Sequence, residues 1–369
     1  VTGAEELARL RLARGEGIGP ATFRRLLARH GSAAEALAAL PRLAERAGRP
    51  MAPLPAEAAA AEMDALRRMG GRLLHLDGHG YPPLLALIED PPPILAVLGD
   101  PGLLARRQVG VVGARSASAG GRRIAEELAA GLAGAGLVVT SGLARGVDAA
   151  AHLGALNARG GTVAVVAGGL DQPYPPENAP LQARIAAEGG AVIAEAPIGT
   201  APLARHFPRR NRIVAGLCLG VVVVEAAQKS GSLITARLAL ESGREVFAVP
   251  GSPLDPRARG GNELIRQGAH LTETAEDVLA QLPEAPRPTP LFRPRPAADP
   301  APDPAEDALP PAGTTGQVLE LIGTTPVGVD DLVRRCHLSA PTVQAILLDL
   351  ELAGLVDPLP GNRVVRSAR

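Results

Sequence analysis

Between Gln108 and Leu282 short apolar runs alternate with helix-patterned stretches, and this alternation limits the fold more than any other feature. The runs are Val109–Val112, Leu137–Thr140, Thr162–Val166, Ala191–Ile193, Gly220–Val224 and Glu245–Val249. Helices fit between and after them at Gly121–Gly134, Val147–Asn157, Ala179–Glu188, Asn211–Leu217, Ser232–Ser242 and Asn262–Gln267. Near-continuous apolar strands separated by helices predict an α/β fold with a doubly wound, mostly parallel sheet. Ligands of such sheets bind at the carboxyl ends of the strands.

The flanking segments read differently. Residues 1–75 are rich in Ala, Leu and Arg and predict a helical domain. Within it, Gly17-Ile18-Gly19-Pro20 followed by Thr22–His30 reads as a helix-hairpin-helix turn with backbone donors for a phosphate, or as an ordinary turn between helices. Residues 76–105, with Tyr81-Pro82-Pro83 and Pro91-Pro92-Pro93, read as an extended connector to the domain at 106–282. About one residue in three from Pro283 to Pro311 is proline, so 283–313 reads as a semi-rigid, disordered linker. Residues 314–369 show helices at Gly316–Leu321, Val329–Arg335 and Ala340–Leu352, then short strands at Gly354–Val356 and Arg363–Val365. That order predicts a winged helix, with Ser339 capping its third helix.

Composition narrows the function. The net charge is zero, so nucleic-acid binding has to come from a local patch. Cys218 and Cys336 are the only cysteines and lack metal-ligand spacing, which fits a reducing compartment. No apolar run is long enough to span a membrane. The start shows no basic-then-apolar leader, and since it opens on Val1, native residues are expected ahead of it. Lys229 is the sole lysine, from GC-rich coding or because a site there needs a compact ammonium.

The turns after the strands carry the chemistry. Gly113–Gly121 places backbone donors at a helix start, with Arg115 and Ser118 aimed the same way. The dinucleotide G-x-G-x-x-G spacing is absent, and so is the P-loop. Ser141-Gly142-Leu143-Ala144-Arg145-Gly146-Val147-Asp148 forms a second such turn, with Asp148 read as a helix-capping or dipole-facing carboxylate in preference to a catalytic one. Tyr174-Pro175-Pro176-Glu177-Asn178 is a rigid loop in which Tyr174 packs. Arg205–Arg212 holds four arginines and His206 with no acid. With Phe207 among Arg209, Arg210, Asn211 and Arg212, it reads as a phosphate-neutralising and base-stacking unit, or as a helix start with Phe207 in the core. Lys229, Ser230, Gly231 and Ser232 form a further phosphate-sized nest, preceded by Glu225, which is expected to pair with nearby arginines. Arg257–Asn262 adds charge on a last loop. A mononucleotide needs one or two such turns, whereas a strand of nucleic acid needs several.

Six ordered blocks resemble the DNA-processing protein A (DprA/Smf) family. They are Gly113–Ser118, Ser141–Asp148, Tyr174–Asn178, Phe207–Val214, Lys229–Ala236 and Gly243–Gly251, covering most of the central domain. The resemblance implies an extended Rossmann-like domain that binds single-stranded DNA without catalysis or cofactor. It implies loading of the recombinase RecA during natural transformation, a homodimer formed through the Rossmann-like domains, and a cytoplasmic location. By motif position Arg115 and Lys229 lead the implied DNA contacts. Arg209, Arg210 and Arg212 follow, with Ser118, Ser141, Gly142, Arg145, Asn211, Ser230, Gly231, Ser232 and Asn262 around them and Phe207 as a stacking ring.

Two departures stand out. Gly120 occupies a position that is usually aromatic, and the third winged-helix helix carries Asp349 and Glu351 but no Lys or Arg. The latter points to a protein-contact or auxiliary role over DNA reading. The rival reading is a nucleotide-binding enzyme, such as a nucleoside-monophosphate phosphoribohydrolase. Its Pro-Gly-Gly-x-Gly-Thr turn is replaced here by Lys229-Ser230-Gly231-Ser232-Leu233.

Overall fold

The computed structural model describes residues 3–47, 51–283, 314–323, 325–336, 338, 340–359 and 362–367. The chain divides into two units, Val1–Ala59 with Arg293–Arg369, and Ala60–Phe292.

The first unit opens with helices α1 (Gly3–Ala13), α2 (Pro20–His30) and α3 (Ala33–Ala47). Pro20 sits in the first turn of α2, where its missing N–H costs nothing. Leu12, Phe23, Leu26, Ala36 and Leu40 close the core between them. Helix α4 (Ala56–Arg68) follows and crosses into the second unit.

The second unit is built on a nine-stranded sheet in the order β1-β2-β6-β5-β4-β3-β7-β8-β9. Its strands are β1 (Arg72–His75), β2 (Ile94–Gly99), β3 (Gln108–Gly113), β4 (Val138–Ser141), β5 (Thr162–Val166), β6 (Ala191–Ala194), β7 (Gly220–Val224), β8 (Glu245–Ala248) and β9 (His270–Leu271). Its helices are α5 (Pro83–Ala86), α6 (Ala119–Gly134), α7 (Val147–Asn157), α8 (Ala179–Ala187), α9 (His206–Leu217), α10 (Gly231–Glu241), α11 (Arg259–Arg266) and α12 (Ala275–Gln281). Strands β3 to β9 pair parallel, and β2 joins β6 antiparallel.

Alternate residues of each strand supply opposite faces. Val163, Val165, Val221 and Val223 pack toward α9 and α10, whereas Val109, Val111, Val222 and Val224 pack toward α6 and α7. Winding runs from β3 to β6 on one side and from β7 to β9 on the other, so the switch point lies between β3 and β7. Gly113 makes that junction possible, because a Cβ there would lie 1.8 Å from the Val224 carbonyl oxygen.

Two expectations need correction. The stretch read as a connector contains α5 and β2, and β2 bridges β1 to β6 inside the sheet. Tyr81 is buried and donates its hydroxyl to the Pro92 carbonyl at 2.7 Å, so the prolines there shape a packed edge of the sheet. Helix α9 begins at His206, five residues before the expected Asn211, so the arginine cluster lies on a helix.

The C-terminal segment of the first unit holds α13 (Thr314–Glu320), β10 (Val327–Gly328), α14 (Val329–Cys336), α15 (Ala340–Leu352), β11 (Val356–Leu359) and β12 (Arg363–Arg366). The three strands pair antiparallel in the order β10-β12-β11, one more strand than expected. Val318, Leu332, Val343, Ile346 and Val364 form its core. The architecture is the α/β fold with an N-terminal helical domain and a C-terminal winged helix. The expected cap Ser339, and the Pro-rich stretch after Pro283, lie outside the described residues. Among the described residues, no helix is long and apolar enough to cross a membrane.

One buried group gives the sheet a pH dependence. His152 on α7 is fully buried. Its Nδ1 lies 2.8 Å from Thr162 Oγ1, whose own proton goes to the Val139 carbonyl. The imidazole therefore donates from Nδ1 and keeps Nε2 bare, with no partner. Burial, reinforced by the Arg210 charge, pushes its pKa down to about 3. The unfolded chain takes up this proton near the ordinary value of about 6.5, and the folded chain does not. Stability should therefore fall as pH drops from about 6.5 toward 3, by about 1.4 kcal/mol per unit from this group. Urea midpoints measured across that range should show a shallower slope in His152→Asn, and equal slopes would contradict the assignment.

Candidate nucleic-acid interface

Because β3 to β8 are parallel, their carboxyl ends line one edge of the sheet, and the loops that follow them form a continuous rim. An aromatic pair stands on it. The Phe207 ring, in the first turn of α9, meets Tyr174 edge-on with centroids 5.6 Å apart. The Arg115 guanidinium lies 5.0 Å from the Phe207 centroid, and that of Arg210 lies 6.0 Å from it. Tyr174 is 43% exposed and Arg115 is exposed. An exposed tyrosine and an exposed planar cation offer two groups on which a base can stack. Sequence reasoning passed over Tyr174 as a packing residue. Its partner Phe207 lies 33 residues away, a juxtaposition that only the parallel sheet creates.

Among the described residues, Arg115, Arg205, Lys229 and Arg259 have no acidic partner within 4.0 Å, and all four are exposed. Arg115 follows β3, Arg205 precedes α9, Lys229 follows β7 and Arg259 opens α11. Their charges are free to neutralise phosphates. Beside Lys229, Ser230 caps α10, its Oγ accepting from Ser232 N at 3.3 Å and lying 2.7 Å from Ser232 Oγ. Gly231 is exposed and faces open space, and its carbonyl accepts from Asn211 Nδ2 at 3.4 Å. Ser232 itself is buried.

Other expected contact residues form the support beneath the rim. Arg210 is buried, donates from Nη1 to the Val165 carbonyl at 3.0 Å, and faces the buried carboxylate of Asp148. Burial pushes Asp148 above the ordinary carboxylate range, opposed chiefly by the Arg210 charge and by amide hydrogen bonds from Ala144 and Gly142. The guanidinium lies against Gly142, where a Cβ would come within 1.6 Å of Nη1, so any side chain in this turn would have to displace Arg210. Ser141 is buried and donates to the Val111 carbonyl at 2.6 Å.

Arg212 is buried between Glu195, 2.6 Å from Nη2, and Asp90, 3.1 Å from Nε. Arg209 stays at the surface but reaches Glu195 at 3.0 Å. The arginine cluster looked free of acid because its acids arrive from β2's approach and from the end of β6. Ser141, Arg210, Arg212 and Ser232 are thus interior side chains, bonded within the chain.

Three more turns are closed by the chain's own groups. Ser118 caps α6, and both its N–H and its hydroxyl donate to Glu225, the N–H at 2.8 Å. Glu225, at φ 51°, thus bonds Ser118 in place of the arginines expected for it, which sets its carboxylate beside the switch point between β3 and β7. Arg145 is exposed and pairs with Glu177, while Asn178 donates to the Leu143 and Ala144 carbonyls at 2.9 and 3.2 Å. Asn262 bonds Gly251 at both ends of its amide, at 3.1 and 2.8 Å. Among the described residues, no cluster of three or more His, Cys, Asp or Glu could hold a metal ion.

Known proteins share this architecture. The model of the family described as DNA recombination-mediator protein A matches residues 72–283. A DprA-like N-terminal HHH domain matches residues 3–65, and a DprA winged helix domain matches 294–362. Protein Smf of Escherichia coli is 40% identical over 306 residues, covering 81% of this chain and 78% of the relative. The DNA processing protein DprA of Bacillus subtilis is 44% identical over 221 residues, 60% of this chain and 74% of the relative. The X-ray structure of DprA from Streptococcus pneumoniae superposes with a TM-score of 0.64 at 34% identity, covering 76% of this chain and 99% of that one. DprA from Helicobacter pylori, solved for its single-stranded DNA binding mode, superposes with a TM-score of 0.51 at 30% identity, covering 57% of this chain and 94% of that one. With the fold, the ordered turns and these matches in agreement, the chain belongs to the DNA recombination-mediator protein A family, known as DprA or Smf.

Proposed function

We propose that this chain binds single-stranded DNA along the carboxyl rim of its sheet and, as a homodimer in the cytoplasm, hands the coated strand to RecA without catalysing a reaction itself. The observation that carries the reading is the Arg115–Phe207–Tyr174 constellation, a base-stacking platform set among unpaired cations. Unpaired bases expose the π-faces that such a platform accepts, and a duplex hides them. Arg115, Arg205, Lys229 and Arg259 stand on separate segments of the chain, which suits several successive phosphates better than one. The DNA-binding relative from Helicobacter pylori supports the same reading.

The nucleotide-enzyme alternative needs the switch-point crevice, and Glu225 puts a carboxylate there, bonded to the amide and hydroxyl of Ser118. A nucleotide phosphate entering that crevice would meet like charge. Binding of fluorescent oligo(dT) should therefore be tight, and only unlabelled single strands should compete. Displacement by a mononucleotide at comparable concentration would support the enzyme reading.

A further inference from the structure

The winged-helix segment and the N-terminal helices meet through charge. Thr22, Arg25 and Arg29 fall on one stripe of α2, spaced at i, i+3 and i+7. All three engage the end of α15. Arg25 pairs with Glu351, Thr22 Oγ1 donates to the same carboxylate at 3.4 Å, and Arg29 Nη1 reaches Asp349 at 3.4 Å. Glu351 is only 8% exposed. A carboxylate removed from water is costly unless it is paired, so this contact specifies its partner. Helix α15 is the third helix of the winged helix, the position from which DNA-binding members of such folds read a groove. Here its described carboxylates face arginines in the same chain.

We infer that Glu351 and Asp349 are internal stand-ins for backbone phosphates, and that they mask a second DNA-contact face formed by Arg25 and Arg29 on α2. The guanidinium fork binds carboxylate and phosphate with the same geometry, so either group can occupy the stripe. Two residues four apart on a helix present side chains about 6 Å from one another, close to the spacing of successive phosphates. The contact is autoinhibitory: duplex DNA gains this face only when α15 lets go. The site uses none of the rim residues and stands whether or not the rim binds single strands.

The test uses the full chain carrying Arg115→Ala and Lys229→Ala, so that rim binding is weakened, and a short labelled duplex. Asp349→Asn with Glu351→Gln should tighten duplex binding about tenfold and steepen the salt dependence by about 0.9 per regained contact. Adding Arg25→Ala and Arg29→Ala should abolish the gain. If the double carboxamide variant melts below the assay temperature, Glu351→Gln alone keeps the shape of the side chain, and a smaller gain in the same direction is expected. Unchanged duplex affinity in a folded carboxamide variant, or a gain that survives loss of both arginines, overturns the inference.

Discussion

Asp148→Ala is expected to destabilise the sheet unit by about 1–3 kcal/mol, because it removes the buried carboxylate that offsets the Arg210 charge and leaves the Ala144 amide without its acceptor. Arg210 is 7% exposed and Asp148 6%, so water cannot replace the lost partner. The guanidinium stays charged at any working pH. It has one carbonyl acceptor, Val165, and its Nε has none, so the carboxylate is the main compensation available. The reverse variant, Arg210→Met, should behave differently. It leaves a buried carboxyl whose pKa burial already raises, now without the charge that opposed the rise. A carboxyl raised above its unfolded value contributes stability that is fully present below about pH 4 and is lost as pH rises. Arg210→Met should therefore be least harmful in acid and worsen toward neutrality. Urea unfolding at several pH values reads both effects. A cost below about 1 kcal/mol for Asp148→Ala would mean that the carboxylate is not closed to solvent.

Removing the two rings should weaken single-strand binding more than removing any single charge. Base–aromatic stacking contributes about 1–3 kcal/mol per base, so Tyr174→Ala with Phe207→Ala is expected to lower affinity by about 5- to 150-fold or more. Phe207 has a second role, since Arg115 and Arg210 both lie over its ring and lose that support with it. Tyr174 is 43% exposed, so Tyr174→Ala alone should lose stacking with little loss of fold. Abasic oligonucleotides separate the causes. They offer phosphates and no bases, so the Tyr174→Ala variant and the parent chain should bind them equally. An equal loss on normal and abasic strands would show that Tyr174 does not stack.

Much of the fold was legible because parallel strands buried on both faces read as unbroken apolar runs, as at Gly220–Val224 and Thr162–Val166. The edge was not. Strand β2 hides among prolines, and its pairing with β6 joins residues nearly a hundred positions apart, which no local pattern announces. Helix α9 starts early because Pro208 falls in its first turn, where proline is tolerated. In the site, position along the rim was readable from the strand–turn–helix order, but side-chain burial was not. Arg209, Arg210 and Arg212 look alike in sequence, yet a helix turns consecutive residues to different faces, so only Arg209 stays exposed. The acids near them come from elsewhere in the chain, Asp148 from the start of α7 and Glu195 and Asp90 from loops. The same limit applies to Ser118, whose hydroxyl pointed to an anion and found the carboxylate of Glu225.

The most direct test of the strand-binding rim is the salt dependence of oligo(dT) affinity in the parent chain, Arg115→Ala, Lys229→Ala and the double variant. Each cation that neutralises a phosphate contributes about 0.7 to the slope of log affinity against log salt on a single strand. Each single variant should bind more weakly with a slope shallower by about 0.7, and the double variant by about 1.4. Arg145→Ala, whose charge is already paired with Glu177, should change the slope less. Unchanged affinity and slope in both Arg115→Ala and Lys229→Ala would place the nucleic acid elsewhere on the molecule and contradict the account.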